Sequence, residues 1–273
     1  PELHSGLFEM KRMNHMIENG KIVHCCWFGK EKMPQRYVDF LENNKRFFPG
    51  YQFIVWTEDN FDIYSCDYAA QAYDKGKYAF VSDYVRMKVL YEYGGIYLDL
   101  DVEFLKKFSD IEAGKEFMGF ERRKYLGTAV ISLKKHSIIA KKMLDYYENN
   151  PFLSKNGAMD TVANVSLLTE IMVEEGLVLG GEKQKVSGID IYPREYFYPK
   201  KLGEGVFRTT EQTVAIHYCD NSWMSAREKK RGNSKIWISF FRPLLQKAKK
   251  VLISIFGSKA TRKIEIKIRN ILK

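Results

Sequence analysis

The feature that most constrains the fold is a rhythm in the first hundred residues. Short apolar runs, Lys21 to Phe28 (KIVHCCWF), Tyr51 to Trp56 (YQFIVW) and Ile96 to Leu100, alternate with stretches of helical periodicity. Nearly continuous apolar runs of this length suit strands buried on both faces of a parallel sheet. Between them, Pro34 to Arg46 and residues 67 to 78 are expected to be helical, with Gly76 as a break. A third helix is expected to start at Ser82 as N-cap. It carries a stripe of Val85, Val89, Leu90 and Tyr93 and stops at Gly94-Gly95. Strand, helix, strand, helix, strand at this spacing predicts an α/β sheet. Beyond residue 110 the rhythm loosens. Strands are expected over Glu116 to Glu121, Thr128 to Leu133, Ile189 to Tyr192 and Val214 to His217, and helices over Ser137 to Tyr147 and Val162 to Glu175.

A chain of 273 residues that is 45% hydrophobic can build one α/β domain with an extension. Its net charge of +10 is unevenly spread. Residues 227 to 273 hold fifteen Lys and Arg against two Glu, a net of +13, which leaves −3 for residues 1 to 226. A mildly acidic body and a basic, apolar tail suggest separate jobs. The expected organisation is a leader over 1–19, part of it added sequence, with Met13 or Met16 as a native start; a catalytic domain over 20–226; and a tail over 227–273. The four cysteines, Cys25, Cys26, Cys66 and Cys219, form no Cys-x-x-Cys pair, which argues against structural zinc. They are expected to be thiols in a reducing compartment. No apolar run reaches the roughly 18 to 20 residues needed to span a bilayer. P-loop, dinucleotide-binding and Gly-x-Ser-x-Gly motifs are missing from the sequence.

In the tail, Trp237, Phe240, Phe241, Leu244, Leu245, Ala248, Val251, Leu252, Ile255 and Phe256 recur at helical spacing, with basic residues largely off the stripe. A second segment, 259–273, repeats the mix. Either the stripe packs on the body, or residues 236–273 lie on an anionic membrane surface, where each basic residue is worth about 1 kcal/mol. Nucleic acid is the rival partner of a different class. It is disfavoured because charge here alternates with large aliphatics rather than aromatics and glycine.

Four places carry candidate chemistry. Asp99 and Asp101 end the third strand, where residues i and i+2 point the same way and ligands of open α/β sheets sit. Two such carboxylates suit Mg²⁺ or Mn²⁺ bridging the phosphates of a nucleotide, although an isolated Asp-x-Asp is also a common solvated strand end. Asp83 and Arg86 stand one helical turn apart, either as an intrahelical ion pair or aimed at sugar hydroxyls. His217 ends an apolar strand, as a structural imidazole or a third metal ligand. Trp27 and Trp223 are either core residues or, for Trp27, a base-stacking surface.

The run Tyr78-Ala79-Phe80-Val81-Ser82-Asp83-Tyr84-Val85-Arg86, followed by Leu90-Tyr91-Glu92-Tyr93-Gly94-Gly95-Ile96-Tyr97-Leu98-Asp99-Leu100-Asp101-Val102, resembles the Asp-x-Asp sugar-binding region of family 32 glycosyltransferases. That family includes bacterial capsular-polysaccharide enzymes and is related to yeast mannosyltransferases and glucosylating clostridial toxins. Residues 21–29, Ile191 to Phe197 and His217 to Trp223 resemble its flanking segments. The resemblance implies a GT-A fold with a mostly parallel central sheet, a nucleotide-diphosphate sugar donor (UDP favoured), Mn²⁺ or Mg²⁺, and transfer of a hexose or N-acetylhexosamine with retention. It also implies roles for individual residues. Asp101 binds the metal and Asp99 reaches the metal or ribose. Asp83 and Arg86 hold the sugar, and Asp160 joins the catalytic set. Trp27, with Phe28 and Tyr97, contacts the nucleotide. His217 closes over metal and diphosphate with Asn221, Ser222 and Trp223. Which of His217, Asp220 and Ser222 touches the metal stays open. The acceptor is expected to be a saccharide, lipid-linked in capsule or other surface polysaccharide synthesis, with the protein peripheral on the cytoplasmic face of the membrane. A nucleic-acid-binding protein and a nucleotide-sugar hydrolase are the alternatives.

Overall fold

The computed structural model describes residues 21–111, 115–154, 157, 159–160, 162–200, 207–220, 251–252 and 254–255. The leader, Asn221, Ser222, Trp223 and nearly all of the basic tail lie outside the described residues. Of the tail, Val251, Leu252, Ser254 and Ile255 have helical backbone, and Val251 and Ile255 are exposed.

The first strand, β1 (Ile22–Cys26), is buried along its whole length. It pairs in parallel with β2 (Gln52–Trp56) on one side and β3 (Gly95–Leu98) on the other. Helix α1 (Gln35–Lys45) joins β1 to β2, while α2 (Asp67–Asp74) and α3 (Tyr78–Tyr93) lead from β2 to β3. Alternate residues of β1 feed opposite faces of the sheet. Val23 and Cys25 enter a core shared with Phe48, Phe104 and Tyr198, whereas Cys26 joins the core beneath α2 and α3. Neighbouring Cys25 and Cys26 therefore point apart, and none of the four cysteines is in a disulfide.

Beyond β3 come β4 (Val102–Phe104), β5 (Phe117–Arg122), β6 (Tyr125–Leu133), α4 (Ile138–Asn149), α5 (Asn164–Glu174), β7 (Gln184–Val186), β8 (Ile189–Tyr192) and β9 (Ala215–His217). The main sheet runs β2-β1-β3-β6-β5-β8-β7. Strands β2, β1, β3, β5 and β8 point one way, β6 and β7 the other. The expected mostly parallel sheet thus holds for strand direction but not for pairing, because β6 is antiparallel to both its neighbours. The cause is local: β5 and β6 are joined through the two-residue turn Arg123-Lys124, which can only reverse the chain. β4 and β9 form a separate antiparallel ribbon with Val102 opposite His217. Buried Asn44 of α1 ties that ribbon down, donating to the Val102 carbonyl at 2.9 Å and accepting from the Phe104 amide at 2.8 Å. Among the described residues no helix is long and apolar enough to cross a membrane.

Helix α3 starts at Tyr78, four residues before the expected Ser82, whose hydroxyl instead donates back to the Tyr78 carbonyl at 3.1 Å. The extra turn packs apolar side chains, Val81 being fully buried. At its other end the helix passes into β3 through Gly94 and Gly95 at φ +69° and +101°. A Cβ on Gly95 would stand 2.6 Å from the Ile22 carbonyl oxygen, so close packing against β1 and left-handed backbone both call for glycine. Buried His24 pins this elbow. The Trp56 indole, which can only donate, gives its hydrogen to Nδ1 at 3.1 Å, so Nε2–H donates to the Gly94 carbonyl at 2.8 Å. Burial lowers the His24 imidazole to about 4, against the opposing pull of the Gly94 bond, and keeps it neutral.

Candidate functional site

Strand β3 ends at Leu98, so Asp99-Leu100-Asp101 is a turn, not the strand end expected from sequence. The Val102 amide closes it on the Asp99 carbonyl at 3.1 Å. The two carboxylates converge because the chain bends into β4, rather than through the two-residue repeat of a strand.

Asp99 is held from beneath. Arg86, only 4% exposed, donates from Nη2 to Asp99 Oδ1 at 2.9 Å and from Nη1 to the buried Thr128 carbonyl at 2.9 Å. Its guanidinium also lies 4.4 Å from the centre of the Tyr97 ring, whose hydroxyl donates to the same Asp99 oxygen at 3.0 Å. Asp83 stands 3.6 Å from Arg86 Nη2 and accepts from Asn164. Burial pushes the Asp83 carboxyl up to about 7; Arg86 and Asn164 pull it down, and Asp99 adds to the rise. The expected intrahelical ion pair is therefore present, and Arg86 also reaches Asp99. Arg86 gives Nη1 and Nη2 to groups inside the protein, while its Nε is buried without a hydrogen-bond partner.

His217 reaches Asp101 from the ribbon. Its Nε2 lies 3.2 Å from Asp101 Oδ1 and 3.9 Å from Asp99 Oδ2. Ligand atoms of Asp99, Asp101 and His217 all fall within 4.8 Å of one another. Burial alone would lower the imidazole; the hydrogen bonds to Asp101 and Cys219 outweigh it and raise His217 well above its ordinary value. For Asp101, burial is likewise outweighed, by His217 and by the Asp220 amide, so its carboxyl is lowered. That amide donates to Asp101 Oδ2 at 2.8 Å, just after Cys219, which adopts a left-handed φ of +52° that only a few per cent of non-glycine residues show.

The remaining expected residues are distributed unevenly. Trp27 is half-buried, edge-on to Tyr37 with ring centres 6.0 Å apart, and its indole donates to the Glu31 carbonyl. Phe28 and Tyr97 are 5% and 1% exposed. Both belong to the apolar core, and the Tyr97 hydroxyl is taken by Asp99. Asp160 is buried, accepting from Tyr146 at 2.5 Å and from the Val162 amide at 3.0 Å. It does not join the Asp99, Asp101 and His217 group. Sequence reasoning missed Asn164 on Asp83, Thr128 under Arg86, and Arg36 and Tyr37, which bind Asp220. Only the proximity of Asn164 to the Asp160 segment hinted at any of them.

Residues 34–118 match the family model described as a glycosyltransferase sugar-binding region containing a DXD motif. An uncharacterized glycosyltransferase, L373, of Acanthamoeba polyphaga mimivirus is 31% identical over 199 residues, which cover 68% of this chain and 75% of that protein. The chain belongs to this glycosyltransferase family. The matched region of the glycosyltransferase runs from α1 through the Asp-x-Asp turn into β5. Inositol phosphoceramide mannosyltransferase 3 of Schizosaccharomyces pombe is 36% identical over 86 residues, 30% of this glycosyltransferase but only 24% of that relative. The PaToxG glycosyltransferase structure aligns with a TM-score of 0.46 at 19% identity, over 61% of this chain and 76% of that one.

Proposed function

We propose that this glycosyltransferase has a GT-A-type catalytic domain. It moves a hexose or N-acetylhexosamine, with retention, from a nucleotide-diphosphate sugar, UDP-sugar in preference, to a saccharide acceptor. The observation that carries the reading is the convergence of Asp99, Asp101 and His217 beside a buried guanidinium. Two carboxylates and an imidazole fit a divalent cation, and the nitrogen favours Mn²⁺ over Mg²⁺. Such an ion offsets the charge that develops on the departing nucleoside diphosphate.

The chain's own residues supply position and charge. Asp99 keeps one oxygen on Arg86 and Tyr97 and turns the other toward His217. Asp83, anchored by Arg86 and Asn164, is the carboxylate available to accept from a sugar hydroxyl. Trp27, half-buried beside Tyr37 just after β1, stacks on the base in this reading. Preorganised groups of this kind lower the barrier by positioning rather than by a strong base, and water must be kept out because hydrolysis of the donor competes. Retention follows from the family resemblance.

The test is calorimetry and turnover on wild type and Asp101→Asn, with UDP and GDP titrated in Mn²⁺. UDP is expected to bind more tightly than GDP. The variant is expected to keep its melting temperature while losing about 100-fold or more in turnover, since removing a single preorganised electrostatic contact commonly costs that much. Near-wild-type turnover in Asp101→Asn sinks the metal assignment, and tighter GDP binding sinks the base preference.

The tail completes the proposal: residues 236–273 bring the enzyme to an anionic membrane face and a lipid-linked acceptor, as in capsule assembly. The charge of +13 over 227–273 supports this. Flotation of the full chain should be stronger on anionic than on neutral liposomes and should fall with salt. Equal flotation on both breaks the anchor reading.

A further inference from the structure

The ribbon's outer end is gripped by one face of α1. Arg36 Nη1 reaches Asp220 at 3.0 Å from Oδ2 and 3.3 Å from Oδ1, and the Tyr37 hydroxyl donates to Oδ2 at 3.1 Å. Two residues back, the Arg36 guanidinium lies 4.4 Å from the centre of the Tyr218 ring, which stacks on Phe40 at 5.2 Å. The Tyr218 amide donates to the Asp101 carbonyl at 2.9 Å, and the Asp220 amide donates to its carboxylate. Partners some 184 residues apart in sequence thus converge on three consecutive residues, Tyr218 to Asp220, whose backbone orients Asp101.

Asp220 has two parts with opposite assignments. Its backbone N–H faces Asp101, while its carboxylate is held by a guanidinium and a phenol on α1. We propose that Arg36 and Tyr37 are positioning residues of the metal site: by holding the Asp220 carboxylate on α1 they keep it out of the ion's ligand set and fix its amide on Asp101. The inference rests on the metal reading above and addresses a question that reading leaves open, namely whether Asp220 is itself a ligand. Partners of ligating carboxylates tune affinity in this way because an unsupported carboxylate must be ordered when the ion binds.

The two roles give opposite signs, so the experiment is decisive. Mn²⁺ binding to the full-length chain is measured by calorimetry, alongside the Mn²⁺ concentration for half-maximal turnover and kcat at saturating Mn²⁺. If Arg36 and Tyr37 are positioning residues, Arg36→Gln and Tyr37→Phe each weaken Mn²⁺ binding by about 10-fold, the lower end for outer partners of metal ligands. The half-maximal concentration rises to match, kcat changes little, and Arg36→Lys recovers part of the loss. Adding Arg36→Gln to Asp220→Ala then has almost no further effect, as expected of groups acting through one contact. If Asp220 were a ligand restrained by α1, Arg36→Gln would free its carboxylate and tighten Mn²⁺ binding, which overturns the proposal. Unchanged binding in both single variants, with wild type binding Mn²⁺ normally, also overturns it while leaving the metal site intact. A wild type that binds no Mn²⁺ overturns both. The Arg36 side chain is 46% exposed, and exposed ion pairs are worth roughly 0 to 1 kcal/mol, so the variants are expected to stay folded.

Discussion

Asp99 and Asp101 are two residues apart, yet they are supported from opposite directions. Asp99 is held from inside by Arg86, Tyr97 and, through Arg86, the Thr128 carbonyl, all of them buried. Asp101 is held by His217 of the ribbon and by a loop whose own tethers, Arg36 and Asp220, have side chains 46% and 29% exposed. The difference teaches that one sequence motif can join two mechanical systems. The inner carboxylate shares its electrostatics with the core and cannot be altered without touching stability. The outer one, though its side chain is only 13% exposed, is oriented in part by surface contacts that can change at small cost to the fold.

Substitutions can break or sharpen that division. The largest effect is expected for Arg86→Met, which leaves Asp83 and Asp99 without their buried cation. Removing one partner of a buried charge network costs about 3 to 5 kcal/mol, read as denaturant midpoint at constant slope. A loss below about 1 kcal/mol would mean that the inner side is not held this way.

A smaller, pH-dependent effect is expected for Asp83→Asn. The carboxyl titrates near 7 in the folded chain against 3.8 when unperturbed, so the folded state holds its proton more tightly. Wild type therefore loses stability as pH rises from about 4 to 7, where the unfolded chain has already released that proton. Asparagine does not titrate. The melting temperature of the variant minus that of wild type should climb over this interval and level off above it, whatever constant offset the lost Arg86 contact adds. A flat difference would mean that Asp83 ionises normally and belongs with the outer system.

The smallest effect is expected for Arg36→Gln, within about 1 kcal/mol of wild type in chemical denaturation. A cost matching that of Arg86→Met would erase the distinction between the two sides.

Much of the fold was legible because buried parallel strands declare themselves: β1 to β3 and the helices between them follow from apolar runs and glycine breaks. β4 and β7 were not legible, since Val102-Glu103-Phe104 and Gln184-Lys185-Val186 are short and interrupted by charge, unlike the equally short apolar run into β9. The start of α3 was misjudged because Ser82 looks like a cap, whereas burial of Val81 and its neighbours decides the boundary. In the site, Asp83, Arg86, Asp99, Asp101 and His217 were all named from sequence, and the structure joins them through direct contacts. Arg36 and Tyr37 were invisible for the opposite reason. They are polar residues on a helix with an exposed face, and nothing local marks a partner at residue 220.

The Gly94-Gly95 elbow also limits which changes in chain length the enzyme can survive. Helix α3 ends at Tyr93 and β3 begins at Gly95, leaving only Gly94 between them as slack. The span from Arg86 to Asp99 is therefore a ruler: a helix face at one end, a strand register at the other, and contact between the ends at 2.9 Å. Adding or deleting one residue within β3 would turn its following side chains to the opposite face of the sheet and carry Asp99 away from Arg86. Divergence in this stretch must proceed by substitution, and room for insertions has to be found outside it.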